Sequence, residues 1–286
     1  MKKEDIWFEE KYKDILGNRY RVEKVLFKGQ SKYQKIEVFE TRGHGRMLVN
    51  DGFIMTSDKD EFIYHDMIAH IPLFIHPNPK TVLIIGGGDG GTAREVLRHR
   101  GVEKATMVEI DEMVVNVARE FLPITSSSLN DTRLNLIIGD GVKYLKECSE
   151  KFDLILVDST DPIGPATPLF GKKFYKDVFR CLDHDGIVIS QGESPFYNTE
   201  MQQSLLKIIS ECFPVSMIYN FTNLTYPGGL WSFTFASKGL HPIKDFKNKK
   251  LEASNLKFQY YNKEIHTASF MLPAFMKNNL NSFIKE

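Results

Sequence analysis

Beyond residue 57, short segments of apolar residues alternate with longer segments that have separate polar and apolar faces. Segments such as Val-Leu-Ile-Ile (82–85) and Leu-Ile-Leu-Val (154–157) have no polar face, so strands built from them must be covered on both sides. Strands of this kind that alternate with helices predict a doubly wound, mostly parallel α/β sheet, with its ligand at the carboxyl ends of the strands. The predicted strands are 81–85, 105–110, 134–138, 152–157 and 187–190, with a terminal antiparallel hairpin of 215–222 and 230–236. The predicted helices are 92–99, 112–121, 142–147, 171–181 and 199–212, preceded by one that opens at Ser57 and stops before Pro72.

The first 56 residues have a different pattern, in which β-branched and aromatic segments are separated by turn sequences such as Asn50-Asp51-Gly52. They predict a small antiparallel sheet with strands at 20–27, 33–39, 47–49 and 53–55. A sheet of this size is marginal alone and must pack on the larger part or on a second subunit. We therefore divide the chain into an N-terminal β-rich domain (1–56) and an α/β domain (57–286).

Composition excludes several classes of function. Lys plus Arg and Asp plus Glu both number 37, so the net charge is zero, which argues against binding to nucleic acid or to a membrane through bulk charge. No apolar segment reaches the ~18 residues that span a bilayer. The three cysteines lack metal-ligand spacing, and the first residues resemble no secretory signal. These observations predict a cytoplasmic enzyme or small-molecule binder, with no metal site.

A glycine-rich loop, Gly86-Gly87-Gly88-Asp89-Gly90-Gly91, follows the first strand of the predicted α/β sheet. Such a loop is either a structural turn or a place where the backbone closely approaches a nucleotide. Glu109 ends the next strand, where an acid commonly accepts hydrogen bonds from ribose hydroxyls. Asp140-Gly141 follows the third strand, where its carboxylate faces an adenine amino group in our interpretation. Together they favour an adenosine site.

Asp89 discriminates among the possible adenosine ligands. A carboxylate inside the loop repels the phosphates of a dinucleotide and the carboxylate of S-adenosylmethionine, but it attracts an amine. Two unit charges about 4 Å apart interact by roughly 4 kcal/mol at an effective dielectric constant near 20, which is nearly three decades in affinity. Unless Asp89 is merely a solvated turn residue, the ligand is an adenosine with a cationic tail.

A second pair of acids follows the fourth strand, in Asp158-Ser159-Thr160-Asp161. This is the edge of the sheet where doubly wound folds place their chemistry, although a capping residue and a turn residue would have the same pattern. The segment 162–171 is rich in proline and glycine, so we predict a loop there, a candidate lid over the site.

At these residues the sequence resembles the spermidine synthases, the aminopropyltransferase family, over nearly its whole length. The segments that carry the resemblance are Tyr33-Gln34, Asp51-Gly52, 60–65, 86–91, 108–111, Asp140-Gly141, 158–165, Gln191-Gly192 and 225–227. The resemblance implies transfer of a 3-aminopropyl group from decarboxylated S-adenosylmethionine to putrescine, with spermidine and methylthioadenosine as products. It also implies a methyltransferase-like domain, decarboxylated S-adenosylmethionine as co-substrate without a prosthetic group, and a homodimer or homotetramer.

The resemblance further implies a role for each matching residue. The nucleoside side would be held by Gln34, Gly86, Gly88, Asp89, Glu109, Asp140, Gly141 and Pro165. The amine portions would contact Tyr64, His65, Asp89, Asp158, Asp161, Gln191 and Tyr226, with Asp158 as proton acceptor and Tyr64 beside it. Trp231, Glu193 and Trp7 are further candidates for the second ammonium of the acceptor. Met55 and Asn223-Leu224 depart from residues common in the family, so the acceptor is less firmly predicted than the donor.

Three alternatives to putrescine aminopropylation remain open. The first is an aminopropyltransferase with another acceptor, such as cadaverine, agmatine or spermidine. The second is a different nucleotide enzyme, either an S-adenosylmethionine methyltransferase, against which Asp89 argues, or a nicotinamide-dependent dehydrogenase, which would leave Asp158 and Asp161 unexplained. The third is a binding module for polyamines or nucleosides that has no turnover.

Overall fold

Residues 5–160 and 164–286 are described by a computed structural model of the chain. The N-terminal part is a five-stranded antiparallel sheet in the order β1-β2-β3-β4-β5. Its strands are β1 (Ile6–Tyr12), β2 (Leu16–Gln30), β3 (Lys35–Thr41), β4 (Gly45–Asn50) and β5 (Phe53–Ser57). The predicted antiparallel sheet is confirmed, although β1 was not predicted.

The second sheet has seven strands in the order β11-β12-β10-β9-β6-β7-β8. The pairs from β10 to β8 are parallel, whereas β12 is antiparallel to both β10 and β11. The strands are β6 (Thr81–Gly86), β7 (Lys104–Glu109), β8 (Leu134–Ile138), β9 (Phe152–Asp158), β10 (Leu182–Gln191), β11 (Val215–Thr222) and β12 (Leu230–Ser237). The predicted doubly wound sheet with its terminal hairpin is therefore confirmed.

Helices cover both faces of this sheet, as its apolar strands require. Alternate residues of β6 enter opposite cores: Val82 and Ile84 pack in one cluster, Leu83 and Ile85 in the other. The helices are α1 (Glu61–Ile75), α2 (Gly91–Leu97), α3 (Glu112–Phe121), α4 (Gly141–Glu147), α5 (Lys172–Cys181), α6 (Thr199–Cys212), α7 (Asn248–Ala253), α8 (Lys263–Ser269) and α9 (Ala274–Leu280).

Two predicted boundaries near the sheet are wrong. The first helix neither opens at Ser57, which ends β5, nor stops before Pro72, which lies in the last turn of α1. The turn persists because Leu73, Phe74 and Ile75 are completely buried, which outweighs the hydrogen bond that proline lacks. The segment Gly164–Phe170, which we predicted as a loop, is a short 3₁₀ helix. Proline opposes a long α-helix more strongly than it opposes this tighter and shorter helix.

The two sheets are joined through α3. Its buried residues Val114, Val117 and Ala118 form one apolar cluster with Ile36 of β3 and Leu48 of β4. One face of the N-terminal sheet is therefore fixed against the helix that follows β7. This contact places the N-terminal sheet beside the carboxyl ends of the parallel strands.

Candidate active site

A cleft of about 360 Å³ lies at the carboxyl ends of β6, β7 and β9 and is closed on one side by the N-terminal sheet. Of the described residues that line it, none is a lysine or arginine, and His65 is the one basic side chain. Six acidic side chains of the described residues line the same cleft: Glu10, Asp51, Asp89, Glu109, Asp140 and Asp158. A cleft with this charge balance favours cationic ligands and disfavours anionic ones.

The glycine loop follows a path that side chains would block. At Gly86, φ is +82°, and an added Cβ would lie 2.1 Å from the carbonyl oxygen of Asp158. The next residue, Gly87, donates its N–H to that same carbonyl at 2.9 Å. The loop is thereby fastened to the end of β9, which brings the glycine loop and Asp158 to one place.

Asp158 is held by two hydroxyl groups. The Tyr64 hydroxyl donates to Oδ1 at 2.8 Å, and the Thr92 hydroxyl donates to Oδ2 at 2.6 Å. Burial, with Asp158 nearby, raises the pKa of Tyr64 well above its ordinary value, so this phenol keeps its proton and remains a donor. Both oxygens of the carboxylate therefore have a fixed orientation at the cleft wall.

Asp89 lies beside a buried imidazole. Its Oδ1 accepts the Gly91 N–H at 2.6 Å and lies 3.6 Å from Nε2 of His65, whose Nδ1 is 2.6 Å from Oε2 of Glu61. Burial by itself lowers the pKa of His65, but the two carboxylates outweigh burial and raise it to about 9. Burial raises the pKa of Asp89, an effect that His65 opposes and Asp158 reinforces.

Three residues lie on the side of the cleft predicted for the nucleoside. Glu109 ends β7, and its Oε1 accepts the Asp111 N–H at 2.8 Å; burial raises its pKa to about 7. Asp140 is the N-cap of α4, where its Oδ1 accepts the N–H groups of Val142 and Lys143. Gln34 reaches across from the N-terminal sheet and donates to Oδ2 of Asp111 at 3.1 Å.

The opposite side of the cleft is built from the hairpin and the N-terminal sheet. The Tyr226 hydroxyl donates to the carbonyl of Met55 in β5 at 2.8 Å, and its ring centroid lies 5.0 Å from that of Trp231. Gln191, at the end of β10, also lines this side. Aromatic faces beside carboxylates suit an organic ammonium.

The turn that carries Tyr226 is held by a buried carboxylate. Oδ2 of Asp60 accepts the N–H of Leu224 at 3.0 Å, and it also accepts the N–H and the hydroxyl of Thr225 at 2.9 and 2.8 Å. Ser57 donates to the other oxygen of Asp60 at 2.5 Å. Asp60 lies between β5 and α1, so the junction of the two sheets fixes the hairpin turn.

Most of the predicted site residues meet in this single cleft. Those that line it are Gln34, Tyr64, His65, Gly86, Gly88, Asp89, Glu109, Asp140, Gly141, Asp158, Gln191 and Tyr226. Asp161 and the side chain of Pro165 lie outside the described residues, so their predicted roles stay predictions. Of the three candidates for the second ammonium, Trp231 lines the cleft, whereas Trp7 and Glu193 do not.

Two buried histidines outside the cleft have acidic neighbours. His70 lies with Asp66 and Glu95, and His76 lies with Asp153 and Asp185, in groups compact enough to hold an ion. Neither histidine is among the residues that line the cleft. Glu95 also pairs with Arg94 and Arg98, and these cations oppose a metal ion there. Asp66 and His70 are four residues apart on α1, a spacing that brings their side chains to one face of the helix.

Several residues that contribute to the site were not predicted from the sequence. Thr92 could have been identified from its place in the first turn after the glycine loop, across from the end of β9. Asp60 and Glu61 lie in segment 60–65, which carries the resemblance, but no role was predicted for either residue. Glu10 and Tyr12 line the cleft from β1, the strand that the sequence did not predict.

Comparison with known proteins identifies the family. Residues 61–248 match the family described as the spermine/spermidine synthase domain, and residues 6–58 match the spermidine synthase tetramerisation domain. Curated relatives named polyamine aminopropyltransferase include one from Thermotoga neapolitana (44% identity; 97% of this chain and 95% of that protein). Another, from Methanocaldococcus jannaschii, is 43% identical and covers 96% and 94% of the two chains.

Solved structures of spermidine synthases are also similar to this chain. A spermidine synthase in complex with the transition-state analogue AdoDATO superposes with a TM-score of 0.96 at 44% identity, over 98% of this chain and 96% of that one. The spermidine synthase from Thermotoga maritima gives a TM-score of 0.94 at 43% identity, with the same coverage. Both the sequence matches and the shared structure extend over nearly the whole chain, and we conclude that it belongs to the spermine/spermidine synthase family.

Proposed function

We propose that this enzyme transfers the 3-aminopropyl group of decarboxylated S-adenosylmethionine to putrescine, with spermidine and 5′-methylthioadenosine as products. The observation that carries the proposal is the charge of the cleft: among the described residues, six acidic side chains line it and no lysine or arginine does. Both proposed substrates are cations, one a sulfonium with a primary amine and the other a diamine. The relatives' name and the AdoDATO complex of a solved neighbour support the same reaction.

The donor would occupy the side of the cleft next to the glycine loop. In this arrangement Glu109 accepts hydrogen bonds from the ribose hydroxyls and Asp140 faces the adenine. Asp89 receives the ammonium of the aminopropyl chain. The carboxylate of S-adenosylmethionine would meet Asp89 at the same place, which favours the decarboxylated molecule.

The transfer is a single displacement. The lone pair of the acceptor amine forms a bond to the carbon next to sulfur as the carbon–sulfur bond breaks. The bonding pair stays on sulfur, so the sulfonium leaves as a neutral thioether. One proton is released from the acceptor nitrogen, and charge is conserved.

Deprotonation of the acceptor is the difficult step. A primary ammonium has a pKa near 10, so removal of its proton at pH 7 costs about 4 kcal/mol at ~1.36 kcal/mol per unit. The nearby sulfonium disfavours a second positive charge at the attacking nitrogen, which lowers this cost. We assign proton acceptance to Asp158, whose two oxygens are oriented by Tyr64 and Thr92.

The acceptor would lie between Asp158 and the hairpin, with its far ammonium beside Tyr226 and Trp231. Met55 and the Asn223-Leu224 turn differ from residues common in the family, and both belong to this part of the site. Met55 lines the cleft and accepts the Tyr226 hydrogen bond through its carbonyl. Leu224 is 64% exposed and is not among the residues that line the cleft. We therefore expect acceptor preference to depend on Met55 more than on Leu224.

The test is incubation with the decarboxylated donor and each of putrescine, cadaverine, agmatine and spermidine, followed by mass spectrometry. Methylthioadenosine and spermidine formed fastest with putrescine would support the proposal. Faster turnover of another of these amines would change the proposed acceptor but leave the proposed reaction in place. Methyl transfer from S-adenosylmethionine, nicotinamide reduction, or binding without product would each overturn it. Asp177→Asn, a change at a carboxylate on α5 that does not line the cleft, is the matched control for Asp158→Asn.

We also propose that the chain is a cytoplasmic homodimer or homotetramer. The N-terminal sheet matches a tetramerisation domain, and exposed apolar residues on β1 and β2 support contact with further copies: Ile6, Trp7 and Val25. All three cysteines are free thiols, as expected in a reducing compartment. Among the described residues, no helix combines the length and apolar character needed to cross a bilayer.

A further inference from the structure

Behind Asp89 runs a row of side chains with alternating charge. His65 lies between Asp89 and Glu61, and Glu61 in turn accepts hydrogen bonds from Nη1 and Nη2 of Arg94 at 2.9 and 2.8 Å. The row begins at the cleft and passes from the glycine loop through α1 to α2. Only Asp89 and His65 of these four line the cleft.

His65 is enclosed on every side. Its side chain is 4% exposed, Nδ1 faces Glu61 and Nε2 faces Asp89. An added Cβ at Gly91 would lie 2.2 Å from Cε1 of the ring, so the chain leaves no room for a side chain at that position. An imidazole with a carboxylate at each nitrogen carries both of its protons most favourably.

We propose that Glu61, held by Arg94, is a positioning residue that keeps His65 as an imidazolium, and that this imidazolium keeps Asp89 ionised and oriented toward the ammonium of the donor. The proposal rests on the proposed function for the identity of that ammonium. The charge state of the row does not depend on the proposed function, because it follows from the contacts among these four side chains.

The row is needed because Asp89 occupies an unfavourable place for a charge. Asp89 is 13% exposed, and Asp158 lies near enough to raise the pKa of Asp89 together with burial. A neutral Asp89 would lose its attraction for an ammonium. A positive charge at His65 opposes both effects, so the cleft can hold a carboxylate at this position.

The groups that face His65 from each neighbouring element define its titration. Glu61 from α1 and Asp89 from the glycine loop stabilise the protonated ring, whereas burial and Arg94 from α2 oppose it. The balance raises the pKa of His65 to about 9. Arg94 and His65 hold the pKa of Glu61 at about 2 despite its burial. Glu61 and His65 are therefore both charged across neutral pH.

The decisive variant is Glu61→Gln, which keeps the size of the side chain but removes its charge. We expect His65 to become neutral near pH 8 in this variant, so that the KM for the decarboxylated donor rises by about 10-fold there and by less near pH 6. The KM for putrescine should change by less than about 2-fold. Glu61→Asp retains the charge, so its donor KM should stay flat with pH.

A structural role alone predicts a different outcome. If Glu61 only supports packing, Glu61→Gln raises both KM values equally or raises the donor KM by the same factor at every pH, and either result overturns the proposal. The matched control is Asp66→Asn, which alters a buried carboxylate on the same helix, near His70 rather than His65. It should leave the pH dependence of the donor KM unchanged.

A second measurement does not depend on turnover. In the protein labelled with ¹⁵N-histidine, the His65 ring signals, assigned by their loss in His65→Gln, should report an imidazolium near pH 8 and a neutral ring in Glu61→Gln. A neutral His65 in the unaltered protein overturns the proposal. If the unaltered protein instead gives this imidazolium but forms no methylthioadenosine, then only the proposed function has failed.

Discussion

The two halves of the cleft are built by different means. In the glycine-loop half, Asp89 and Glu109 come from a loop and a strand end whose positions follow from the parallel sheet itself. In the hairpin half, Tyr226 is placed by a hydrogen bond to Met55, which precedes it by 171 residues. Asp60 holds the same turn from 165 residues away.

The two halves of the cleft therefore depend on different interactions for the placement of their side chains. The glycine-loop half relies on backbone geometry and on a buried row of charges, so charge-changing substitutions should affect it most. The hairpin half relies on hydrogen bonds between distant segments, worth ~1 kcal/mol between neutral groups and about 1.5–3 kcal/mol where the Asp60 carboxylate accepts them. Asp158 lies between the two halves: it ends β9 beside the glycine loop, and Tyr64, which orients it, packs edge-on against Tyr226 with ring centroids 6.1 Å apart.

Asp158→Asn should have the largest effect, since it removes the group that the two halves share. We expect turnover to fall by the ~10²–10⁴ typical of a lost acid–base residue, while donor binding measured by calorimetry changes little. Steady-state kinetics beside Asp177→Asn gives the comparison. A variant that keeps more than half of the original turnover would remove Asp158 from this role.

Asp89→Asn should affect the glycine-loop half alone. The preference for the decarboxylated donor over S-adenosylmethionine should shrink by roughly 10²–10³. The variant loses both the attraction of Asp89 for the ammonium of the donor and its repulsion of the carboxylate of S-adenosylmethionine. Calorimetric titration of both ligands measures the ratio, and the KM for putrescine serves as the internal control. Equal affinities of the two ligands for the unaltered protein would refute selection by Asp89.

The stability of the glycine-loop half should depend on pH. The folded-state pKa of His65 is about 9 against an ordinary 6.5, so its charge stabilises the fold fully below pH 6.5 and loses this effect as pH rises through 9. The shift corresponds to about 3 kcal/mol. The difference in unfolding free energy between the unaltered protein and His65→Gln, from urea titrations, should therefore decline over this range. A constant difference would contradict a charged row.

Tyr226→Phe should have the smallest effect and should be confined to the hairpin half. It removes one hydrogen bond to the Met55 carbonyl, worth about 1 kcal/mol, so the putrescine KM should rise about 5-fold. The donor KM and the pH dependence of unfolding should not change. A larger rise in the donor KM than in the putrescine KM would show that the two halves are not separable.

Much of the glycine-loop half was predictable because its signals are local. Asp89 lies inside the loop, and Glu109 lies at a strand end, so apolar periodicity and glycine spacing sufficed to bring them to one edge of the sheet. Pro72 misled the prediction of α1 because burial of the last turn compensates for one absent hydrogen bond. The resemblance supplied Tyr226 and Gln191, which no local pattern would have placed in the cleft.

Sequence patterns did not reveal the roles of Thr92, Glu61 and Asp60. Each is an ordinary helix-start residue in sequence, and its contribution depends on a partner from another element. Thr92 orients Asp158 across 66 residues, and Glu61 reaches Arg94 across 33. Such pairs have no periodicity, so sequence spacing alone does not reveal them.

The order of apolar strands, the glycine loop and the acids at strand ends determined the sheet and its negative edge, because strand direction and side-chain period follow from local chain geometry. Tertiary structure alone decided which hydroxyls orient Asp158, which charges enclose His65 and where the hairpin turn meets β5. These depend on distances between segments far apart in the chain, and such distances are fixed only when the two sheets pack together across α3.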